Sequence, residues 1–280
     1  MVGGAQQGER CRARHSPDYR GCVDSDEVLQ LIRDVADEVI NPRFRDLASD
    51  QIAEKNPGDL VTVADHEAEQ LLTRALEAAY PDAVVLGEEA YAGDKSLLDR
   101  YAAADHAFTV DPVDGTRNFV HGSKDHAVMV GETRDGVPVR GWIFQPQHDR
   151  AYVAERGAGA RLDGKPLVSP GRPDDPGAWR GVTSRRSWIG RQLDGLRPLE
   201  LTWICCGIDY PKLIEGEAEF MLYGGANPWD HVPGSLLLSE TGGFLGTVDG
   251  TPYDARVVPR GLVAAADRAT YDEVLARLGG

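Results

Sequence analysis

The stretch Asp111-Pro112-Val113-Asp114-Gly115-Thr116-Arg117-Asn118-Phe119 places two carboxylates, a turn-forming glycine and a hydroxyl in one short segment. Ahead of it, Ala107-Phe108-Thr109-Val110 is apolar and β-prone, so Asp111 is expected at the end of a buried strand, where the chain leaves the sheet. Open α/β sheets bind their ligands at such strand ends. Pro112 stiffens the exit and Gly115 permits a tight turn, which is expected to bring both carboxylates and the Val113 carbonyl to face one point. These are hard oxygen ligands of the kind that Mg²⁺, Mn²⁺ and Ca²⁺ take. An Asp-x-x-Asp-Gly segment also occurs in hairpin turns and calcium loops. A calcium loop needs a glutamate at its twelfth position, and this chain has Gly122 there.

Two further segments add acids. Val84-Val85-Leu86-Gly87-Glu88-Glu89 is a β-prone run ending in carboxylates, and Pro228-Trp229-Asp230-His231-Val232-Pro233-Gly234 sets an acid at the start of an apolar helical stretch. Alone, the first reads as a solvated strand edge and the second as a helix N-cap. Together with Asp111 and Asp114 they supply the remaining ligands of a cation site. These segments, with Asp59-Leu60-Val61-Thr62-Val63-Ala64-Asp65 and the run from Trp229 to Glu240-Thr241-Gly242-Gly243, resemble in order the sequence blocks of the inositol monophosphatase family of metal-dependent, lithium-sensitive phosphatases. The blocks span most of residues 25 to 275.

The resemblance implies a layered αβαβα sandwich of two halves with the active site between them. The polar, Gly- and Arg-containing composition of 1–24 reads as a loose N-terminal extension, and a boundary placed near residue 160 leaves an α+β half over 25–160 carrying most metal ligands and an α/β half over 161–280 carrying Asp230. The resemblance implies Mg²⁺, two or three ions, with Mn²⁺ as an alternative. Glu88, Asp111 and the Val113 carbonyl would hold the first ion, and Asp111, Asp114 and Asp230 the second. Phosphate monoester hydrolysis calls for such a pair, since two cations about 3.5–4 Å apart can clamp the attacking and leaving oxygens. Glu88, Thr116 and Asp65 would form the catalytic group, with the Thr116 hydroxyl relaying a water proton to Asp65. On residue type alone, Thr116 and Asp65 are equally N-caps of the helices that follow them. Gly115 and Thr116 amides would cradle the phosphate, and Asp114, Ser184, Arg185, Gly207, Ile208, Asp209 and Asp230 would border the substrate.

Family members acting on inositol phosphate carry an acid several residues before the Trp-Asp pair; here that position is Tyr223, followed by Gly224-Gly225. The substrate implied is a small phosphorylated polyol, inositol monophosphate first, with histidinol phosphate, fructose 1,6-bisphosphate or a 3′-phosphoadenosine nucleotide as alternatives, and Asp209 as a substitute acceptor. An inert metal-binding or regulatory protein on the same fold would lack one of the acids or the Thr116/Asp65 pair, and all are present. The resemblance also implies a homodimer.

Composition sets the bounds. The 280 residues carry a formal charge of −15 and 41% hydrophobic residues, enough for a substantial core. The charge argues against nucleic acid polymers and anionic membranes as partners. It also requires cations at any site that receives a phosphate ester. No apolar run approaches the roughly 18 residues of a membrane helix. Cys11, Cys22, Cys205 and Cys206 have neither zinc-site nor disulfide-framework spacing, which points to a reducing cytoplasm. His121, His126 and His231 lack the spacing of a paired metal-histidine motif.

Helical spacing of Val28, Leu31, Ile32, Val35 and Val39 predicts a helix opened by Ser25 and closed before Pro42. A second follows Asp65 with Ala68, Leu71, Leu72, Ala75, Leu76 and Ala79 inward, packed beside the first. Val128–Thr133, Val139–Phe144 and Arg150–Glu155 predict an antiparallel meander, with 157–166 as its turn-rich edge. Beyond it, strands and helices alternate, with Leu201–Cys205 as a strand burying both cysteines.

Overall fold

The computed structural model describes residues 23–279, so residues 1–22, including Cys11 and Cys22, lie outside the described part of the proposed N-terminal extension. The first helix, α1 (Ser25–Val35), starts at a capping box: Asp24 accepts from the Asp26 and Glu27 amides, and Glu27 accepts from the Asp24 amide. Val28, Ile32 and Val35 are its buried stripe. The regular helix does not run to Pro42 as the periodicity predicts. It widens into a π-helical turn at Ala36–Ile40 and tightens into a 3₁₀ turn at Asn41–Arg43, which absorbs Pro42 while keeping Ala36, Val39 and Ile40 buried. A hairpin follows, β1 (Ile52–Asn56) and β2 (Asp59–Thr62), that leads directly into α2 (Val63–Ala79).

Seven strands make the first sheet. They are β3 (Val84–Gly87), β4 (His106–Asp114), β5 (Ala127–Arg134), β6 (Val137–Gln145), β7 (Arg150–Glu155), β8 (Gly159–Leu162) and β9 (Lys165–Pro166), in that spatial order. Only β3 and β4 are parallel; they are joined through α3 (Glu88–Gly93) and α4 (Leu97–Ala103), and the short α5 (Thr116–Val120) links β4 to β5. The predicted meander is β5–β6–β7, and its turn-rich edge is β8–β9.

Five strands make the second sheet: β10 (Gly181–Thr183), β11 (Glu200–Leu201), β12 (Phe220–Tyr223), β13 (Phe244–Thr247) and β14 (Leu262–Ala265), in the order β11-β10-β12-β14-β13. Its helices are α6 (Cys206–Ile214), α7 (Pro228–Glu240) and α8 (Arg268–Leu278). The strand predicted over Leu201–Cys205 ends at Leu201. The Trp203 amide goes to Asp209 Oδ1 (2.9 Å) and the Ile204 amide to Thr202 Oγ1 (3.2 Å), so side chains have taken the donors that a ladder would use. Cys205 is therefore the N-cap of α6 and Cys206 its first residue.

Alternation along the strands assembles the layers. Phe108, Val110, Val128, Val130, Trp142, Phe144 and Val153 face the core shared with α1 and α2. Met129, Ile143, Tyr152 and Ala154 face the other way, into a core shared with α6, α7 and the inner face of the second sheet (Met221, Tyr223, Leu262, Ala264). Phe220, Leu222, Val263 and Ala265 pack outward under α8. The result is an αβαβα sandwich with both sheets covered on both faces, which explains why their strands read as continuous apolar runs.

The middle layer sits unusually close to the first sheet. A Cβ on Gly141 of β6 would lie 2.9 Å from the Pro233 carbonyl oxygen of α7, and one on Gly131 of β5 would lie 2.6 Å from Val232 Cγ1. Close contact of this kind sets the height of α7 over β5 and β6. We expect Gly141→Ala to lower stability by about 1–3 kcal/mol, seen as a reduced urea midpoint with an unchanged slope. An unchanged midpoint would mean that α7 shifts freely.

Candidate active site

Asp111 pairs with Met129 and Asp114 with Ala127, so three steps along β4 match two along β5. The extra residue is a β-bulge at Pro112–Val113. In a regular strand, residues i and i+3 point to opposite faces; the bulge cancels that alternation. Both aspartates pair with residues that face the inner layer, while Val113 is buried in the α1/α2 core. Pro112 has no N–H to give to the ladder, and the Val113 amide turns to Asp111 Oδ1 (3.1 Å). This corrects the expectation that the strand ends at Asp111: β4 continues through Asp114, and a bulge rather than a turn aims the carboxylates. The turn comes one residue later, at Gly115, whose φ of 80° is left-handed.

Asp230 arrives from α7, as its third residue rather than as its N-cap, which is Asn227; Asn227 Nδ2 donates to Asp230 Oδ2 (3.2 Å). Trp229 anchors this end of the helix among Leu86, Leu97, Tyr101 and Ala107, with the Tyr91 ring 5.2 Å away. Carboxylate oxygens of Asp111, Asp114 and Asp230 lie within 4.8 Å of one another. They border a cavity of about 190 Å³ together with Glu88, Val113, Gly115 and Thr116.

Glu88 opens α3 on the rim of this cavity, and its Oε1 accepts from Lys55 Nζ at 2.5 Å; Lys55 also reaches Glu89 Oε1 at 2.9 Å. Sequence reasoning missed Lys55, because a single lysine in an exposed hairpin carries no positional signal. It also missed Glu69 of α2, whose two oxygens accept from the Glu89 and Ala90 amides (2.7 and 2.8 Å) and fix the start of α3. A Cβ on Gly87 would overlap the Glu69 carboxylate at 2.3 Å.

Thr116 Oγ1 lies 3.0 Å from both Asp65 Oδ1 and the Val113 carbonyl oxygen. Neither residue is an N-cap. Thr62 caps α2, and Asp65 closes its capping box by accepting from the Thr62 amide (2.9 Å) and hydroxyl (2.5 Å). Gly115 caps α5, with Thr116 next in line.

Burial and mutual repulsion govern the protonation of these acids. Asp111 is pushed well above the carboxylate range by burial, then by Glu88, Asp114 and Asp230. Asp230 is raised likewise by burial, Asp114 and Glu88. Asp114 rises only to about 6, because burial is opposed by the Gly207 amide (2.5 Å) and the Cys205 thiol (3.0 Å), both of which donate to Oδ2. Burial lifts Asp65 to about 7 against its Thr62 bonds. Glu88 is raised by burial against the opposing Lys55 charge. Crowded, desolvated carboxylates with a backbone carbonyl beside them are a donor set suited to a hard divalent cation.

Asp114 and Asp230 also border a second cavity of about 210 Å³ on the far side of the cluster, lined by Ser184, Arg186, Ile204, Cys206, Asp209 and Tyr223 among others. Of the residues expected there, Ser184 and Asp209 are present. Gly207 instead donates to Asp114, Ile208 is buried in the inner core, and Arg185 is drawn off to the Arg260 carbonyl (2.6 Å) and over the Trp188 ring. Arg186, which sequence reasoning passed over, takes the place expected of Arg185. Ile204 holds φ at 59°, a strained value for a β-branched side chain. His231 lines the same cavity but takes no place in the acid cluster. Tyr210 hydroxyl and the Gly225 carbonyl engage its ring, and burial lowers it to about 4.

The family model for the inositol monophosphatase family matches residues 24–279. The chain belongs to that family. Inositol monophosphatase 1 of Solanum lycopersicum is 32% identical over 235 residues, covering 78% of this chain and 82% of its own. Fructose-1,6-bisphosphatase/inositol-1-monophosphatase of Aquifex aeolicus is 26% identical over 258 residues, covering 89% and 93%. Among solved structures, a Staphylococcal IMPase-I complexed with products superposes with a TM-score of 0.77 at 21% identity, over 91% of this chain and 95% of that one. As a member of this family the protein is an enzyme, a phosphoric monoester hydrolase. No helix among the described residues is long and apolar enough to cross a membrane.

Two outcomes follow from the electrostatics and the strain. The raised acids bind more protons folded than unfolded, so their contribution to stability is complete below about pH 4 and is lost as pH rises through 6 and 7. Acids with lowered values have finished titrating below that window. Burial lowers His126 and His231 to about 4, so they act with the opposite sign below about pH 6.5; the chelator-treated protein should therefore melt at a lower temperature at pH 8 than at pH 6.5, and a divalent cation should raise the melting temperature more at pH 8, whereas equal shifts at both pH values would contradict the cluster. Ile204→Gly should raise stability by about 1 kcal/mol, the relieved strain less the added chain entropy, and a loss in urea melts would show that no strain is held there.

Proposed function

We propose that the protein is a Mg²⁺-dependent phosphomonoesterase acting on a small phosphorylated polyol, with inositol monophosphate as the reference substrate. The observation that carries the reading is the convergence of Asp111 and Asp114 from one bulged strand with Asp230 from a different layer, directly beside the Thr116–Asp65 pair. Asp111, Asp114, Asp230, Glu88 and the Val113 carbonyl would hold the cations. When bound, these ions supply charge neutralisation for the phosphoryl and leaving oxygens and acidify a nucleophilic water.

The chain's own groups do the rest. Thr116 takes the proton of the attacking water while passing its own to Asp65, whose value near 7 makes it a competent acceptor at neutral pH. The 3.0 Å contact to the Val113 carbonyl keeps the hydroxyl in place for this exchange. Lys55 bridges Glu88 and Glu89 at the rim, offsetting one of their two charges. For Glu88 to ligate a cation, that pair must open. Asp114, held by Gly207 and Cys205, has its second role in bordering the cavity for the leaving alcohol.

Replacing Asp111 or Asp230 by Asn should reduce Mg²⁺-dependent phosphate release by roughly 10²-fold or more, with the chelator-treated melting temperature equal to or above the parent's because a buried repulsion is removed. Turnover at the parental rate in either variant would overturn the reading. Thr116→Ala and Asp65→Asn should lower kcat by about 10²–10⁴-fold with little change in KM. Release is measured on inositol, histidinol, fructose and nucleotide phosphates.

A further inference from the structure

We infer that the alcohol-side cavity selects phosphate esters whose leaving group carries a second anion, a phosphoryl or carboxylate group, and that Arg186 is the residue that reads it. The inference rests on the phosphomonoesterase reading and names the substrate class for the same site. Asp209 is 1% exposed, and its Oδ1 accepts from the Trp203 amide (2.9 Å). The substitute acceptor expected for sugar hydroxyls is therefore committed inside the chain. Tyr223, at the position where the resemblance leads one to expect an acid, is buried and donates to Met221 Sδ (3.2 Å). Ser184 Oγ accepts from the Gly224 amide (3.0 Å), and both ring nitrogens of His231 have partners. Apart from the carboxylates of the cation site, no uncommitted acid on this wall faces the hydroxyls of a neutral polyol.

Arg186 is the opposite case. It lines the cavity, and among the described residues its guanidinium has no hydrogen bond, ion pair or ring contact. Its backbone is nevertheless fixed. The Ser184 amide donates to the Leu222 carbonyl (3.0 Å), the Arg185 amide to Thr183 Oγ1 (3.1 Å), and the Trp188 amide to the Arg185 carbonyl (2.8 Å). The neighbouring Arg185 is pinned to the Arg260 carbonyl (2.6 Å). One arginine of the pair is structural, and the other is a free cation at the mouth of a cavity in a chain of formal charge −15. A guanidinium presents a planar fork suited to a phosphate or carboxylate and poorly suited to reading a neutral hydroxyl. No other residue lining this cavity is an arginine or lysine that could substitute for it.

The test compares esters that differ only in the second anion: glycerol 2-phosphate against 2-phosphoglycerate, and adenosine 3′-phosphate against adenosine 3′,5′-bisphosphate, with Mg²⁺ saturating. The parent enzyme should favour the second member of at least one pair by about tenfold or more in kcat/KM, and which pair responds distinguishes carboxylate from phosphoryl. In Arg186→Gln that ratio should collapse towards one through KM, and Arg186→Lys should recover part of it. A preference for the neutral member in both pairs, or a ratio that survives in Arg186→Gln, would overturn the inference while leaving the phosphomonoesterase reading intact. An equal loss on both members would show a structural role only and would also overturn it. No phosphate release from any ester would remove the phosphomonoesterase reading and this inference with it.

Discussion

Three carboxylates that repel one another are held at one point inside the protein, and the architecture around them serves to hold them there. Asp111 and Asp114 share a face only because β4 is bulged at Pro112–Val113. Asp230 reaches them only because α7 lies against β5 and β6 at glycine-lined contacts. Burial removes the water that would otherwise screen the three charges, which lifts Asp111 and Asp230 far above ordinary carboxylates. Such a cluster is unfavourable until protons or a divalent cation neutralise it. The fold therefore stores a demand for positive charge at the place where a phosphate ester is to be received.

Around that point the groups divide by what they already hold. Asp65 is tied into the first turn of α2 and offers one oxygen to Thr116; Glu69 secures α3; Lys55 bridges Glu88 and Glu89. Asp114 is held lowest of the inner acids by an amide and a thiol from the loop entering α6. The same loop carries the strained Ile204, so backbone strain and carboxylate positioning occur in one segment, 202–207. Strain of this kind persists where the surroundings over-determine a conformation.

Much of this was legible in the residues. The acids at Glu88, Asp111, Asp114 and Asp230, the meander from Val128 to Glu155 and the two packed N-terminal helices are written in motif and periodicity, because each depends on local chemistry or on one repeating face, whereas the Thr116–Asp65 pairing came only through the family resemblance. The bulge was not legible: Pro112 signals an interruption, but whether the strand ends or skips a residue depends on what β5 presents opposite. The β1–β2 hairpin is largely exposed, so it lacks an apolar alternation to betray it. Leu201–Cys205 misled through its β-prone composition, since its amides are claimed by side chains close in the sequence, Thr202 and Asp209, which compete with a ladder locally. Lys55, Glu69 and Arg186 were missed for a different reason: a single charged residue acquires meaning from what stands across from it.

The central claim is that the crowded acids of β4 and α7 seat divalent cations. Anomalous diffraction from crystals soaked in Mn²⁺ tests it most directly. The account predicts a strong anomalous peak within ligand distance of Asp111, Asp114 and Asp230, absent in the Asp230→Asn crystal or reduced there. Saturating Mn²⁺ with no peak among those three carboxylates, or an equal peak after the substitution, would contradict it.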